Sequence, residues 1–423
     1  MPELTSLLFL QLAAILAFCR ALSYVGTRYL GQADAVCEMI AGIVLGPSLL
    51  GLIAPSFQHW LFPSTHIALG DGTTLINPSM SILYSISQLG LLIYMFLVGL
   101  EFDPALLKNR GKGITLVAGG GILVPFILGF LFAWKGHTEG VCHFLFVSTA
   151  GDITGAFFIG IAISMTAFPM LARLLYDRGL ANTNFGALSL ASGSIGDVIG
   201  WCLLAVMLAF LKMNLNIALI AIIGGVLYSG FMLTIGRRLI TIFFTKVAPT
   251  QNINTTLTQV LVILMICAWT TDKLGLHAIF GVFIAGIAMP KMQLTDMLRD
   301  KIEGVTIAFL LPIFFVYSGL NTQIGLINTP LLWLVALIII FIAVAGKLVA
   351  CTLAARLAGE GWRDSMTVGA LMNCRGLMEL IVLNVGLEYH IITPSLFSIM
   401  VFMTLVTTFM TTPLFNAIYL KKM

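Results

Sequence analysis

One carboxylate stands alone in the apolar stretch "SGSIGDVIGW", residues 192–201. Ser192, Gly193, Ser194 and Gly196 precede Asp197, and Gly200 follows it. A charge at the centre of a bilayer costs roughly 2.5–3.5 kcal/mol on insertion scales, so such a residue points to function. Two readings compete for it. It is a structural group capping a neighbouring helix end, or it binds a proton or a cation. Proton and cation compete for one negative charge, so binding one displaces the other, and burial favours the neutralised forms. The flanking glycines allow another backbone to come close.

Three further stretches carry polar groups where hydrocarbon is expected. In "GIAISMTAFPMLARLL", Pro169 removes a backbone donor and disfavours helical geometry at Phe168, so a break is predicted around Thr166–Pro169. Freed carbonyls and the Thr166 hydroxyl would then line a cavity, the place where broken backbone is tolerated in membranes. An ordinary proline kink is the competing reading. "GALMNCRGLMELIVLNVG" carries Asn373, Arg375, Gly376 and Glu379. Arg375 and Glu379 are four apart and can pair on one helix face. That pair is either self-neutralising and structural, or part of an ion site. Lys347 lies centrally in "FIAVAGKLVACTLAARLAG", too deep to snorkel, and needs a carboxylate or carbonyl partner. A proton carrier, a counter-charge for Asp197 and a strut for a broken helix are all open to it.

The elements that position these groups follow from composition. Of 423 residues, 59% are hydrophobic and 9% charged. A soluble chain has about a quarter of its residues charged, and one globule cannot hide this much apolar surface. The chain reads as an all-α polytopic membrane protein. Thirteen apolar segments are long enough to span or nearly span a bilayer: 5–28, 35–53, 79–100, 113–134, 148–175, 184–211, 215–242, 256–273, 276–290, 302–320, 330–356, 365–387 and 394–419. The second and ninth are short and end in the breakers "LGPSLLG" and "AMPK".

Basic residues orient the segments. Sixteen of 22 lie near or beyond the C-terminal ends of odd-numbered segments, whose boundaries are soft: Arg28, Lys108, Arg110, Lys112, Arg173, Arg178, Arg237, Arg238, Lys246, Lys291, Arg299, Lys301, Arg356, Arg363, Lys421 and Lys422. Lys135, Lys212 and Lys273 follow even-numbered ones, and Arg20, Lys347 and Arg375 fall inside segments. The N-terminus is therefore expected outside and the C-terminus inside. The short segments lie seven apart. An odd offset gives two oppositely oriented halves, an inverted repeat of about 5–211 and 256–419 around a linker helix of about 215–242. Segments five and twelve then correspond.

Other features carry less. Seven cysteines, at 19, 37, 142, 202, 267, 351 and 374, have no paired spacing, and six histidines (59, 66, 137, 143, 277 and 390) have no ligand spacing. Asp152 is expected near outside water, and Glu38 and Glu101 near helix ends. The net charge of +4 reflects topology rather than nucleic-acid binding. No cleavable signal is evident in "MPELTSLLFLQLAAILAF".

The strings "EMIAGIVLGPSLLG", "LGLLIYMFLVGLEFD", "ISMTAFPMLARLLYDRGL", "GDVIGWCLLA" and "LMNCRGLMELIVLNVGL" together resemble the monovalent cation:proton antiporter-2 family, in order and over essentially the whole chain. The last two resemble in particular its plant cation/H+ exchanger branch and bacterial relatives. The resemblance implies thirteen helices, a homodimer, and a core of two crossed, discontinuous helices, here segments five and twelve. It implies alternating-access exchange of K+ or Na+ for H+, with Asp197 as the ion-binding aspartate and Lys347 as the core-helix lysine. Ser192, Ser194 and Thr166 are expected to complete an oxygen shell. The family usually has a polar residue just before that aspartate, whereas Gly196 stands here. In members with two aspartates the first pairs with the lysine and is tied to electrogenic exchange. Its absence implies another partner for Lys347 and exchange of one cation for one proton.

Plant exchangers also carry long soluble tails. After Met410 this sequence runs 13 residues to "LKKM", so a single transmembrane domain without a soluble regulatory domain is expected. The expected setting is a cell (inner) membrane with a cytoplasmic C-terminus. No cofactor is expected beyond the transported ions, and no enzymatic activity. Two rivals are weighed. A sodium-coupled organic anion symporter would need Arg375 as its anion site. An intramembrane aspartyl protease would need Asp177 of "LLYD" to meet Asp197 of "SIGD" at one depth.

Overall fold

A computed structural model describes residues 2–30, 32, 34–63, 66–68, 74–76, 78–101, 111–138, 146, 152–181, 183–211, 215–247, 252–276 and 278–419. Lys108, Arg110, His143, Lys212, His277, Lys421 and Lys422 lie outside them, as do the side chains of His66, His137, Asp152, Pro169, Arg173 and Asp177. Each of the thirteen segments is helical over most of its described length. Among the described residues, nine helices are long and apolar enough to cross a membrane, and Ile153–Ser164 and Ala278–Ala288 are shorter apolar helices.

The breakers act where expected. Helix Asp34–Leu45 stops before "GPSL", and the chain resumes in the short helices Leu50–Ile53 and Pro55–Leu61. Ser48 Oγ ties this turn down, donating to the Thr322 carbonyl at 2.6 Å and accepting the Ile324 N–H at 2.9 Å. Segment ten starts earlier than its hydropathy indicates. Its helix begins at Gln293 and continues through a wider π turn at Thr306–Leu310 to Leu320. The added turns, "QLTDMLRDK", belong to an amphipathic stretch and carry four charges, which a hydropathy window discards. A small antiparallel hairpin, His66–Ala68 with Thr74–Ile76, lies in the connection that precedes segment three.

The chain forms two compact units. One comprises Met1–Leu16, Ser64–Asp103 and Leu208–Tyr317. Within it, helix Ala278–Ala288 is buried from Ile279 onward. It packs on Pro78–Glu101 so closely that a Cβ on Gly99 would come within 3.0 Å of the Gly286 Cα. The other comprises Ala17–Pro63, Pro104–Met207 and Ser318–Met423. It holds segments two, four to six and eleven to thirteen almost whole, so four to six and their partners seven along share one unit. Asp197, Lys347, Arg375 and Glu379 all belong to it.

Candidate functional site: the crossing of two interrupted helices

Segment five divides into helices Asp152–Ser164 and Phe168–Asp177, separated by Met165–Ala167. The break lies slightly upstream of its predicted place, and Phe168 is helical rather than extended. Pro169 therefore sits in the first turn of the second half, where its missing N–H is not needed, and it starts a helix instead of interrupting one. Segment twelve divides into Trp362–Leu371 and Leu377–Glu388, with Met372–Gly376 between them.

The two breaks are bonded to each other. The Ala167 N–H donates to the Cys374 carbonyl at 3.0 Å, and Thr166 Oγ1 donates to the Met372 carbonyl at 3.4 Å. A Cβ on Gly376 would touch Met170 Cγ at 3.1 Å and Ala167 Cβ at 3.7 Å, so the halves cross at contact distance.

An interrupted helix leaves carbonyls at one end and N–H groups at the other without intrahelical partners. Here cations serve the first kind of end. Arg375 Nη1 donates to the Ala162 carbonyl at 3.1 Å, and Nη2 donates to the Ile163 carbonyl. Lys347 Nζ donates to the Met165 carbonyl and to Thr166 Oγ1. Both side chains are fully buried at 0% exposure. They gather at the C-terminal end of Asp152–Ser164, where the helix dipole is negative. Of the three roles open to Lys347, this geometry matches the strut. It lies within electrostatic range of Asp197 but spends its bonds on segment five.

Asp197 meets the opposite kind of end. It is 1% exposed, in helix Asn184–Leu211, and one turn before it a Cβ on Gly193 would lie 3.9 Å from the Cα of Phe168, the first residue of the second half-helix. Neither carboxylate oxygen has a hydrogen-bond partner. A buried anion at a helix N-terminus and two buried cations at a helix C-terminus thus flank one break.

Ser194 precedes Asp197 by three residues and shares its helix face, whereas Ser192 lies about 140° around the helix. Accordingly Ser192 Oγ donates to the Ile114 carbonyl on segment four at 3.4 Å, and Ser194 Oγ donates within its own helix to Ala191 at 2.9 Å. Of the glycines, Gly200 makes room for segment five: a Cβ there would lie 2.5 Å from Met165 Sδ. Gly196 borders open space, with only Ile122 Cδ1 at 4.0 Å. Gly200→Leu is expected to push Met165 and the break apart and to lower stability by about 1–3 kcal/mol, whereas Gly196→Ala is expected to hold stability or raise it by up to about 1 kcal/mol. Thermal unfolding of the two purified variants measures the contrast.

Arg375 and Glu379 pair as their spacing predicts, Nη1 to Oε1 at 3.3 Å, both buried. Thr408 was not visible in sequence. Its hydroxyl donates to the Arg375 carbonyl at 2.8 Å and accepts the Arg375 N–H at 3.1 Å, holding the break from segment thirteen. The only hint was a run of threonines, "TLVTTFMTT", on an otherwise apolar helix.

Crossed, interrupted membrane helices around a buried carboxylate without a salt-bridge partner define a secondary transporter. The chain matches, over residues 13–417, the family model described as sodium/hydrogen exchanger, transmembrane, and belongs to that family. It is a multi-pass integral membrane protein. It is 37% identical over 421 residues to the Na(+)/H(+) antiporter NhaS4 of Synechocystis sp., covering 98% of this chain and 97% of that one. It is 32% identical to Cation/H(+) antiporter 15 of Arabidopsis thaliana, covering 98% of this chain but 48% of the relative, so it spans about half the plant protein. Its fold is similar to that of the sodium proton antiporter MjNhaP1 from Methanocaldococcus jannaschii, with a TM-score of 0.66, 16% identity and 99% of each chain covered.

Proposed function

We propose that the protein exchanges a monovalent cation, Na+ or K+, for a proton by alternating access, with both ions competing for Asp197. The observation that carries the reading is a carboxylate buried at the crossing with both oxygens free of hydrogen-bond partners. An anion in that position gains from any neutralising ligand, and a carboxylate takes either a proton or a hard cation. Ser194 and Thr166 supply oxygens beside it, while Ser192 lies on another side of the helix, against Ile114. Asp197 moves between the two faces only when neutralised, since an unpaired charge crossing the barrier is costly. The relatives' names support the class of ion, and the excess of basic residues after odd-numbered segments supports a cytoplasmic C-terminus in a cell membrane. A homodimer is part of the same reading.

The rivals are disfavoured by particular contacts. Arg375, the candidate anion site of a symporter, already serves Ala162, Ile163 and Glu379. Asp177 ends the half-helix whose first residue faces Asp197, which puts its backbone about 13 Å along the helix axis from that end. Two protease aspartates cannot meet across that separation. The reading is therefore of a transporter and not an enzyme.

Proteoliposomes with an imposed inside-acid pH gradient test it. Added Na+ or K+ is expected to collapse the gradient, and failure of both with folded protein would overturn the reading. With a single exchanging carboxylate and no charged neighbour at Gly196, one cation replaces one proton. The initial rate is then expected to stay constant when the membrane potential is set at zero or about −100 mV with a gradient of the permeant anion thiocyanate, which leaves Na+ and K+ unchanged. A rate that changes several-fold with potential would mark electrogenic exchange.

A further inference from the structure

The break in segment twelve holds a side chain that the exchange reading leaves unused. Asn373 is 0% exposed, and neither its amide oxygen nor its amide nitrogen has a hydrogen-bond partner. Buried carboxamides are normally satisfied, so one with both ends orphaned calls for an explanation. The buried cations and the threonine at the crossing are committed: Lys347 to Met165 and Thr166, Arg375 to Ala162, Ile163 and Glu379, and Thr408 to Arg375.

The position of Asn373 is fixed from both sides. The Met372 carbonyl accepts from Thr166, and the Cys374 carbonyl accepts from the Ala167 N–H. The next residue in the chain, Phe168, packs on the helix of Asp197: a Cβ on Gly193, one turn before that carboxylate, would lie 3.9 Å from the Phe168 Cα. Two consecutive residues of segment five thus bridge the residue after Asn373 and the turn of helix that leads into Asp197, and consecutive Cα atoms are about 3.8 Å apart.

We propose that Asn373 supplies its carboxamide oxygen to the cation held at Asp197 and thereby sets which monovalent cation is accepted. The proposal rests on the reading of Asp197 as the exchange site. A carboxylate supplies the charge, while the number and field strength of neutral oxygens discriminate between Na+ and K+. A neutral ligand does this without altering the charge balance of the exchange. The amide also has a donor and an acceptor, so it serves the protonated carboxyl in the other half of the cycle.

The test uses the full chain, in detergent and in proteoliposomes, with Na+, K+ and Li+ as the only probes. Asn373→Ala is expected to keep exchange at saturating cation while raising KM for the preferred cation about tenfold, the size of one lost ligand interaction. The Na+:K+ preference and the stabilisation against heat by each cation shift with it. Asn373→Ser, which restores a neutral oxygen, recovers part of both. Unchanged KM and unchanged preference, with only the maximal rate reduced, would overturn the proposal and leave Asn373 a packing residue. If Asn373→Ala does not fold, Asn373→Ser decides alone, and a wild-type preference ratio in it overturns the proposal. Asp197→Asn separates the two claims. If it retains cation stabilisation, the exchange site itself is misplaced. If it loses stabilisation while the Asn373 variants behave as wild type, only the selectivity claim fails.

Discussion

Asp197→Asn is expected to abolish cation-driven proton flux, with at least about a hundredfold loss of rate, while leaving the protein folded. The variant is nearly isosteric and removes the only charge for which proton and cation compete, so exchange through this site has no carrier. It also removes a buried anion that has no hydrogen-bond partner. Folded stability should therefore hold or rise, since burying an unpaired charge costs more than burying a neutral amide. Flux in proteoliposomes and thermal unfolding in detergent measure the two effects separately. Retained exchange in folded Asp197→Asn would place the carrier elsewhere. The apparent KM of the wild type for the cation should also rise as pH falls. Below the pH at which Asp197 is half-protonated, each unit of acidification raises it about tenfold, because the proton is a direct competitor.

Arg375→Ala is expected to have the largest effect on stability, a loss of about 3–5 kcal/mol. It strands the Ala162 and Ile163 carbonyls at the end of Asp152–Ser164 and leaves the Glu379 carboxylate buried without its partner. The damage comes from what remains uncompensated rather than from the worth of the pair. Arg375→Met combined with Glu379→Leu, which removes both charges, should therefore be more stable than Arg375→Ala alone. Thermal unfolding of the single and double variants closes that cycle. If the double variant is less stable than either single, the two charges act independently and the account of the pair is wrong.

Much of this was legible in sequence because the bilayer imposes simple rules. Hydropathy located every segment, breakers placed the interruptions of segments two and five to within a few residues, and the interruption of segment twelve followed from the family resemblance. Asp197 drew notice because a lone charge in an apolar run is expensive wherever it packs. The remainder depended on tertiary contacts. Lys347 had three possible roles, and only the positions of Met165 and Thr166 single out the carbonyl contact. Pro169 reads as a breaker, yet whether it ends one helix or begins the next depends on which neighbouring carbonyls find partners. Ser192 and Ser194 look equivalent in sequence until helical phase sends one towards Ile114 and the other to the face of Asp197. The start of segment ten was hidden because amphipathic, charged turns resemble a loop to any hydropathy window.

The claim that one carboxylate holds either ion can be tested without a membrane. Purified protein in detergent and weak buffer is titrated with Na+ or K+, and proton release is recorded alongside cation binding. The account predicts one proton released per cation bound at pH values where Asp197 starts protonated, and no release from Asp197→Asn. Cation binding without proton release by the wild type, or undiminished release from Asp197→Asn, would contradict it.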